Sequence, residues 1–195
     1  PDVWMNLEAT FRLGTVREGQ TAVSRRAHVY KIAPVREMVR RQWIQATDEI
    51  GELEHQMADF FGLPSLDTEP PSIPHAARKT QDGDYDFVSP SLRAWLYRAR
   101  RIASLSSTTG SFSQVSFERA INHLAPLKAN APDARRIAPV LSECGIRLIV
   151  VEHLAGTGID GTCFWLDRKS PVVAISLRYD RLDWFWFTLM HELGH

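Results

Sequence analysis

Five residues at the end of the chain, His191-Glu192-Leu193-Gly194-His195, have the types and spacing that do chemistry. On a helix, His191 and His195 fall one turn apart on one face, where two imidazoles can grip a single metal ion. Glu192 follows the first ligand, placed to take a proton from metal-bound water rather than to bind the metal itself. The competing reading is two histidines on an exposed helix end. The preceding residues favour the metal. Trp184-Phe185-Trp186-Phe187-Thr188-Leu189-Met190 is apolar nearly all round, as in a core helix, and a core helix carrying two histidines and a glutamate needs a partner for them. Asp180 is the expected N-cap of this helix, with Asp183 completing an imperfect capping box.

The elements before this helix must position it. Ile146-Arg147-Leu148-Ile149-Val150-Val151 is β-branched and short, and reads as a buried strand. Gly156, Gly158 and Gly161 then punctuate a loop. They could cradle a phosphate, but no helix with a P-loop lysine follows, and a turn is the favoured reading. Thr162–Leu166 and Val172–Leu177 are two further strands, antiparallel because the turn Asp167–Ser170 joins them as a hairpin. Upstream, Ser89 caps a helix with Pro90 at its first position, running to about Ser104 through Leu92, Trp95, Leu96, Ala99 and Ile102. Its arginines are read as a solvated face. A second helix covers about Phe112–Lys128, its regular part ending at Pro126. A third starts behind Asp133 and stops at Gly145, with Pro139 signalling a kink or a late start. The pattern is α+β: helices, a small antiparallel or mixed sheet, and the HExxH helix, preceded by further helical segments. In such a layering an edge strand beside the metal can hold an extended peptide by backbone hydrogen bonds.

The first part of the chain is less regular. Residues 1–13 place Trp4, Leu7 and Phe11 at helical spacing. Residues 14–33, with Arg17, Arg25, Arg26 and Lys31, read as a solvated linker, the alternative being a phosphate-contacting extension. A helix follows from Pro34 to about Trp43, and Thr47 or Asp48 caps another that runs through Phe61 to a stop at Gly62. This pair is a spacer or a docking element, which leaves a homodimer open. Residues 63–88 read as a linker anchored by Tyr85 and Phe87.

Composition narrows the function classes. The 195 residues are 44% hydrophobic and 24% charged, as in a globular protein. The 23 basic and 23 acidic residues cancel, so no global field selects nucleic acid. Cys144 and Cys163 form no CxxC pair, which points to a reducing compartment, with one disulfide left open. No apolar run reaches spanning length and no basic-then-apolar leader opens the chain, so the expectation is a cytoplasmic protein without a membrane partner.

The stretch GIRLIVVEHLAGTGIDGTCFWLDRKSPVVAISLRYDRLDWFWFTLMHELGH, Gly145–His195, resembles the ImmA/IrrE metallopeptidase domain. More narrowly it is similar to the version fused behind an XRE/HigA-like helix-turn-helix. PDVWMNLEATFRL resembles the last helix of that DNA-binding domain, and PVREMVRRQWI with AWLYRARRIA resembles the region between. The resemblance implies residues 1–13 as the tail of the helix-turn-helix, 14–88 as a helical linker and 89–195 as the metallopeptidase domain. It implies a zincin-like fold, a Zn2+ ion and cleavage of a cytosolic regulatory protein such as a transcriptional repressor. His191 and His195 would be metal ligands and Glu192 the general acid/base. The family's third protein ligand is an acidic residue on a later helix, expected beyond His195; DNA contact would lie in an N-terminal domain before residue 1, and no residue of this chain is assigned to it.

Asp160, Asp167, Asp180, Asp183, Glu143, Glu152 and His153 are other ligand types near the motif; each reads as a turn, cap or surface residue, and none is assigned to the metal. Arg178 and Tyr179 could stabilise an oxyanion or bind substrate, with packing an equal reading. Substrate-binding residues are otherwise unassigned. The alternative function is a HigA-like antitoxin or XRE transcriptional regulator whose peptidase-like domain senses or is inactive. A third is an inert relic with exposed Trp and Phe surface.

Overall fold

A mixed four-stranded sheet carries the HExxH helix in the computed structural model. Its strands are β1 (Ala76–Lys79), β2 (Arg147–Val150), β3 (Ile159–Trp165) and β4 (Pro171–Ile175), in the order β1-β3-β4-β2. The structure describes residues 21–74, 76–79, 88–129, 131–179 and 181–195. The fold is α+β, and the chain divides into two units, Pro1–Pro71 and Ser72–His195. The proposed helix over 1–13, the anchors Tyr85 and Phe87, and the cap Asp180 lie outside the described residues.

In the first unit, residues 21–32 form helix α1, where the sequence suggested a linker. Val29 and Ile32 explain the difference: both are fully buried, so the basic residues cover a helix that has an apolar side. Arg25 donates through Nε to Glu54 Oε1 at 3.0 Å, so part of the positive charge is met by an acid distant in sequence. Helix α2 (Val35–Arg40) follows Pro34, and α3 (Ile50–Phe61) buries Leu53, Met57, Phe60 and Phe61. Neither Thr47 nor Asp48 caps α3. The N-cap is Glu49, because Thr47 Oγ1 is spent one step earlier, accepting from Glu49 N at 3.1 Å. Gly62 ends the helix at φ 65°, a left-handed turn that glycine adopts without strain.

In the second unit, helix α4 (Pro90–Leu105) starts as expected: Ser89 accepts from Leu92 N and Pro90 occupies the first turn. Trp95, Leu96 and Ala99 form its buried side. Helix α5 (Gln114–Leu124) opens on a Ser113/Ser116 capping box, and Pro126 turns its end into a 3-10 segment, Ala125–Ala129. The Asp133 cap does not form. Residues 131–136 are a second 3-10 turn, in which Asp133 faces Arg136 at 3.6 Å. Helix α6 (Ile137–Glu143) starts late, so that Pro139 sits in the first turn, where its missing N–H costs nothing.

β3 and β4 are antiparallel, as a hairpin requires, while β2 runs parallel to β4. Alternation gives the sheet two covered faces. Val173 and Ile175 join Leu124, Leu141, Trp186, Leu189 and Leu193 in one core. Ile149, Val172 and Ala174 are buried on the other face, where α4 packs on β2 and Arg147 donates to Ser106 O at 3.2 Å. β1 was not foreseen. It lies within the stretch read as linker and pairs antiparallel with β3. Cys144 and Cys163 form no disulfide, and burial pushes the Cys144 thiol up, away from reactivity.

Gly145 ties α6 to the loop before α5. Its φ is 80°, and a Cβ there would lie 2.1 Å from Phe112 N. Gly145→Ala is therefore expected to cost more than about 1 kcal/mol in denaturant unfolding. Gly158→Ala, at φ 61° but with open space around it, is the milder control.

Candidate metal centre

Helix α7 (Leu182–Leu193) presents the motif. Its N-cap is Arg181 and makes no side-chain cap bond. Asp183 does not close a capping box. Arg181 takes both of its oxygens, through Nε at 3.0 Å and through the terminal nitrogen at 2.5 Å, and this guanidinium holds the Asp183 carboxyl below the usual range. The helix is buried on one side only. Trp186, Thr188, Leu189, Glu192 and Leu193 face inward, whereas Phe187 is 54% exposed. The apolar run overstated the burial because its outer aromatics stack on each other, Trp184 against Tyr179 at 4.8 Å and against Phe187 at 6.0 Å.

His191 and His195 come together at the exposed end, their Nε2 atoms 3.2 Å apart and their rings perpendicular at 89°. Two nitrogens of a tetrahedral zinc site, each about 2.05 Å from the metal, are about 3.3 Å apart. The imidazoles thus fit chelation of one ion. Glu192, next to the first histidine, is buried at 1% exposure and lines a cavity that also reaches His195. Among the described residues no group of three or more His, Cys, Asp or Glu side chains is arranged to hold a metal.

What lets α7 lie there is Gly161. The glycine spacing suggests a loop here, but Gly161 is inside β3, facing the helix. A Cβ at 161 would meet Thr188 Cγ2 at 2.6 Å, Glu192 Cγ at 3.0 Å and Glu192 Oε1 at 3.3 Å. Only glycine leaves room for the helix on the strand. The signal was present but ambiguous, since Gly161 sits two residues before Cys163 in strand alternation and also closes a glycine-punctuated turn. Beside this contact an apolar cavity of about 380 Å³ reaches Glu192 and His195, walled by Phe112, Phe117, Cys163 and Trp165.

The remaining residues singled out in the sequence are tied up elsewhere. Asp160, 2% exposed, lies 4.0 Å from Arg178, and Arg178 in turn covers the Tyr179 ring at 5.1 Å. Arg178 and Tyr179 therefore have packing partners of their own. Asp167 accepts from Lys169 N at 2.8 Å inside the hairpin turn, which lowers its proton affinity. Glu143 and Glu152 are exposed and His153 is half-buried.

Gly161→Val is expected to push α7 off β3 and lower zinc affinity at least about tenfold, as lost support behind a ligand does. Competition against a chromophoric chelator measures it; affinity equal to that of the native protein would show that the strand does not position the histidines. Comparisons with family models, with curated proteins and with solved structures give no match.

Proposed function

We propose that the chain belongs to a zinc-dependent endopeptidase with a zincin-like arrangement, acting on a cytosolic regulatory protein such as a transcriptional repressor. The observation that carries this reading is the 3.2 Å convergence of the His191 and His195 nitrogens beside a buried Glu192. Support also comes from the resemblance of Gly145–His195 to the ImmA/IrrE peptidases.

His191 and His195 would hold the ion, together with a further ligand that the described residues do not supply. Bound zinc supplies Lewis-acid polarisation of a carbonyl and acidifies water. Glu192 accepts the proton from the attacking water and delivers it to the leaving amine, a transfer favoured by its fixed position against Gly161. Backbone groups of the sheet orient the peptide, and the cavity beside Glu192 has the apolar walls that suit a large side chain of the substrate.

Glu192→Gln keeps the shape and removes the base. In the complete protein it is expected to retain zinc and lose at least about a hundredfold in cleavage rate. Unchanged proteolysis would overturn the assignment. A second reading, a HigA-like DNA-binding regulator with a sensing domain, is favoured by one observation: the described residues gather two ligands rather than three. It predicts operator binding that survives His191→Ala/His195→Ala, measured by mobility shift, in a protein without proteolytic activity.

A further inference from the structure

Residues 76–79 lie on the outer side of β3, and the register sets Ala76 opposite Cys163, Ala77 opposite Thr162 and Arg78 opposite Gly161. Gly161 faces Glu192, which a Cβ at 161 would meet at 3.0 Å, so the β1 backbone runs past the level of the proposed catalytic carboxylate. Helix α7 packs on β1 as well as on β3 and β4. The other edge of β3 is taken by β4. An extended peptide that pairs with β3 therefore has one edge to use, and β1 is on it.

β1 is also poorly built as a permanent strand. It has four residues, and the register slips between Arg78 and Lys79, leaving Asp160 as the extra residue of a bulge. Its four residues pair on one side only, since among the described residues no strand lies on its far side. Tethering supplies what the ladder lacks, because a segment of the same chain is present at an effective concentration on the order of millimolar.

We propose that β1 is an internal occupant of the substrate edge: residues 76–79 pair with β3 in cis and must leave before another extended polypeptide can pair there. The partner is a peptide running antiparallel to β3 and held mainly through its backbone. Micromolar peptides compete badly with the tethered segment, so a substrate must bring further contacts of its own to displace it. The inference rests on the peptidase reading for what the edge is used for, but not for whether β1 exchanges.

The test uses the complete protein and a fluorescent peptide of residues 73–79 as the probe, without reference to metal or cleavage. Two variants bracket the native chain. Ala76→Pro/Ala77→Pro removes two adjacent donors, one of which faces β3 whatever the bonding phase, and vacates the edge. Ala76→Cys places a thiol opposite Cys163, and opposed residues of an antiparallel pair have Cα atoms about 4.5–5.5 Å apart, within reach of a disulfide that locks β1 in place. Cys144 is buried and does not compete. The expected result is peptide binding at least tenfold tighter in the proline variant than in the native chain. Oxidised Ala76→Cys should bind none and recover on reduction. Equal binding by oxidised and reduced Ala76→Cys would overturn the proposal, and so would no gain in a proline variant whose unfolding remains cooperative. Should the proline variant misfold, amide exchange in the native sequence decides: the bonds from β3 to β1 should open at least a hundredfold faster than those to β4, and equal rates would contradict it. A protein that exchanges β1 yet never cleaves a peptide would sink the peptidase reading and leave the exchangeable edge standing.

Discussion

The close approach of helix α7 to strand β3 at Gly161 is the contact on which the rest of the site depends. A helix normally keeps its distance from a sheet because side chains stand between them. Here a missing Cβ lets Thr188 and Glu192 settle against the strand backbone. That fixes the rotation of the helix. With Glu192 turned inward, the residues on either side of it along the motif, His191 and His195, fall at the exposed surface. One steric fact thus sorts three polar side chains into one buried carboxylate and two outward imidazoles.

The core behind the helix holds this geometry. Trp186, Leu189 and Leu193 share a cluster with Leu124 of α5, Leu141 of α6 and Val173 and Ile175 of β4. The wall of the cavity comes from the same elements, since Phe112 and Phe117 pack on that cluster and Phe112 meets Trp165 edge-on at 5.2 Å. Cavity, carboxylate and histidines are therefore attached to one packed core, the kind of support that holds a site in position.

Much of this was legible in the sequence, and the misses have physical causes. Local chemistry reads well: Ser89-Pro90 opens a helix, Gly62 closes one, Pro126 ends regular turns, and β-branched runs become strands. Caps that depend on competition read poorly. Thr47 and Asp183 have the right types, yet their oxygens are claimed by Glu49 N and Arg181. Long-range pairing is the least legible. Nothing in Ala76-Ala77-Arg78-Lys79 marks a strand, because its structure is induced by the free edge of β3 rather than by its own preference. Gly161 belongs to the same class, a residue whose meaning appears only when the helix it touches is in place. The histidine pair needed neither, since helical spacing alone brings its nitrogens together.

X-ray absorption at the zinc edge, on the complete protein given one equivalent of metal, shows whether His191 and His195 ligate the ion. Scattering from imidazole nitrogens at about 2.0–2.1 Å is expected, lost in His191→Ala/His195→Ala. Zinc that fails to bind, or a spectrum unchanged by the double substitution, would contradict it.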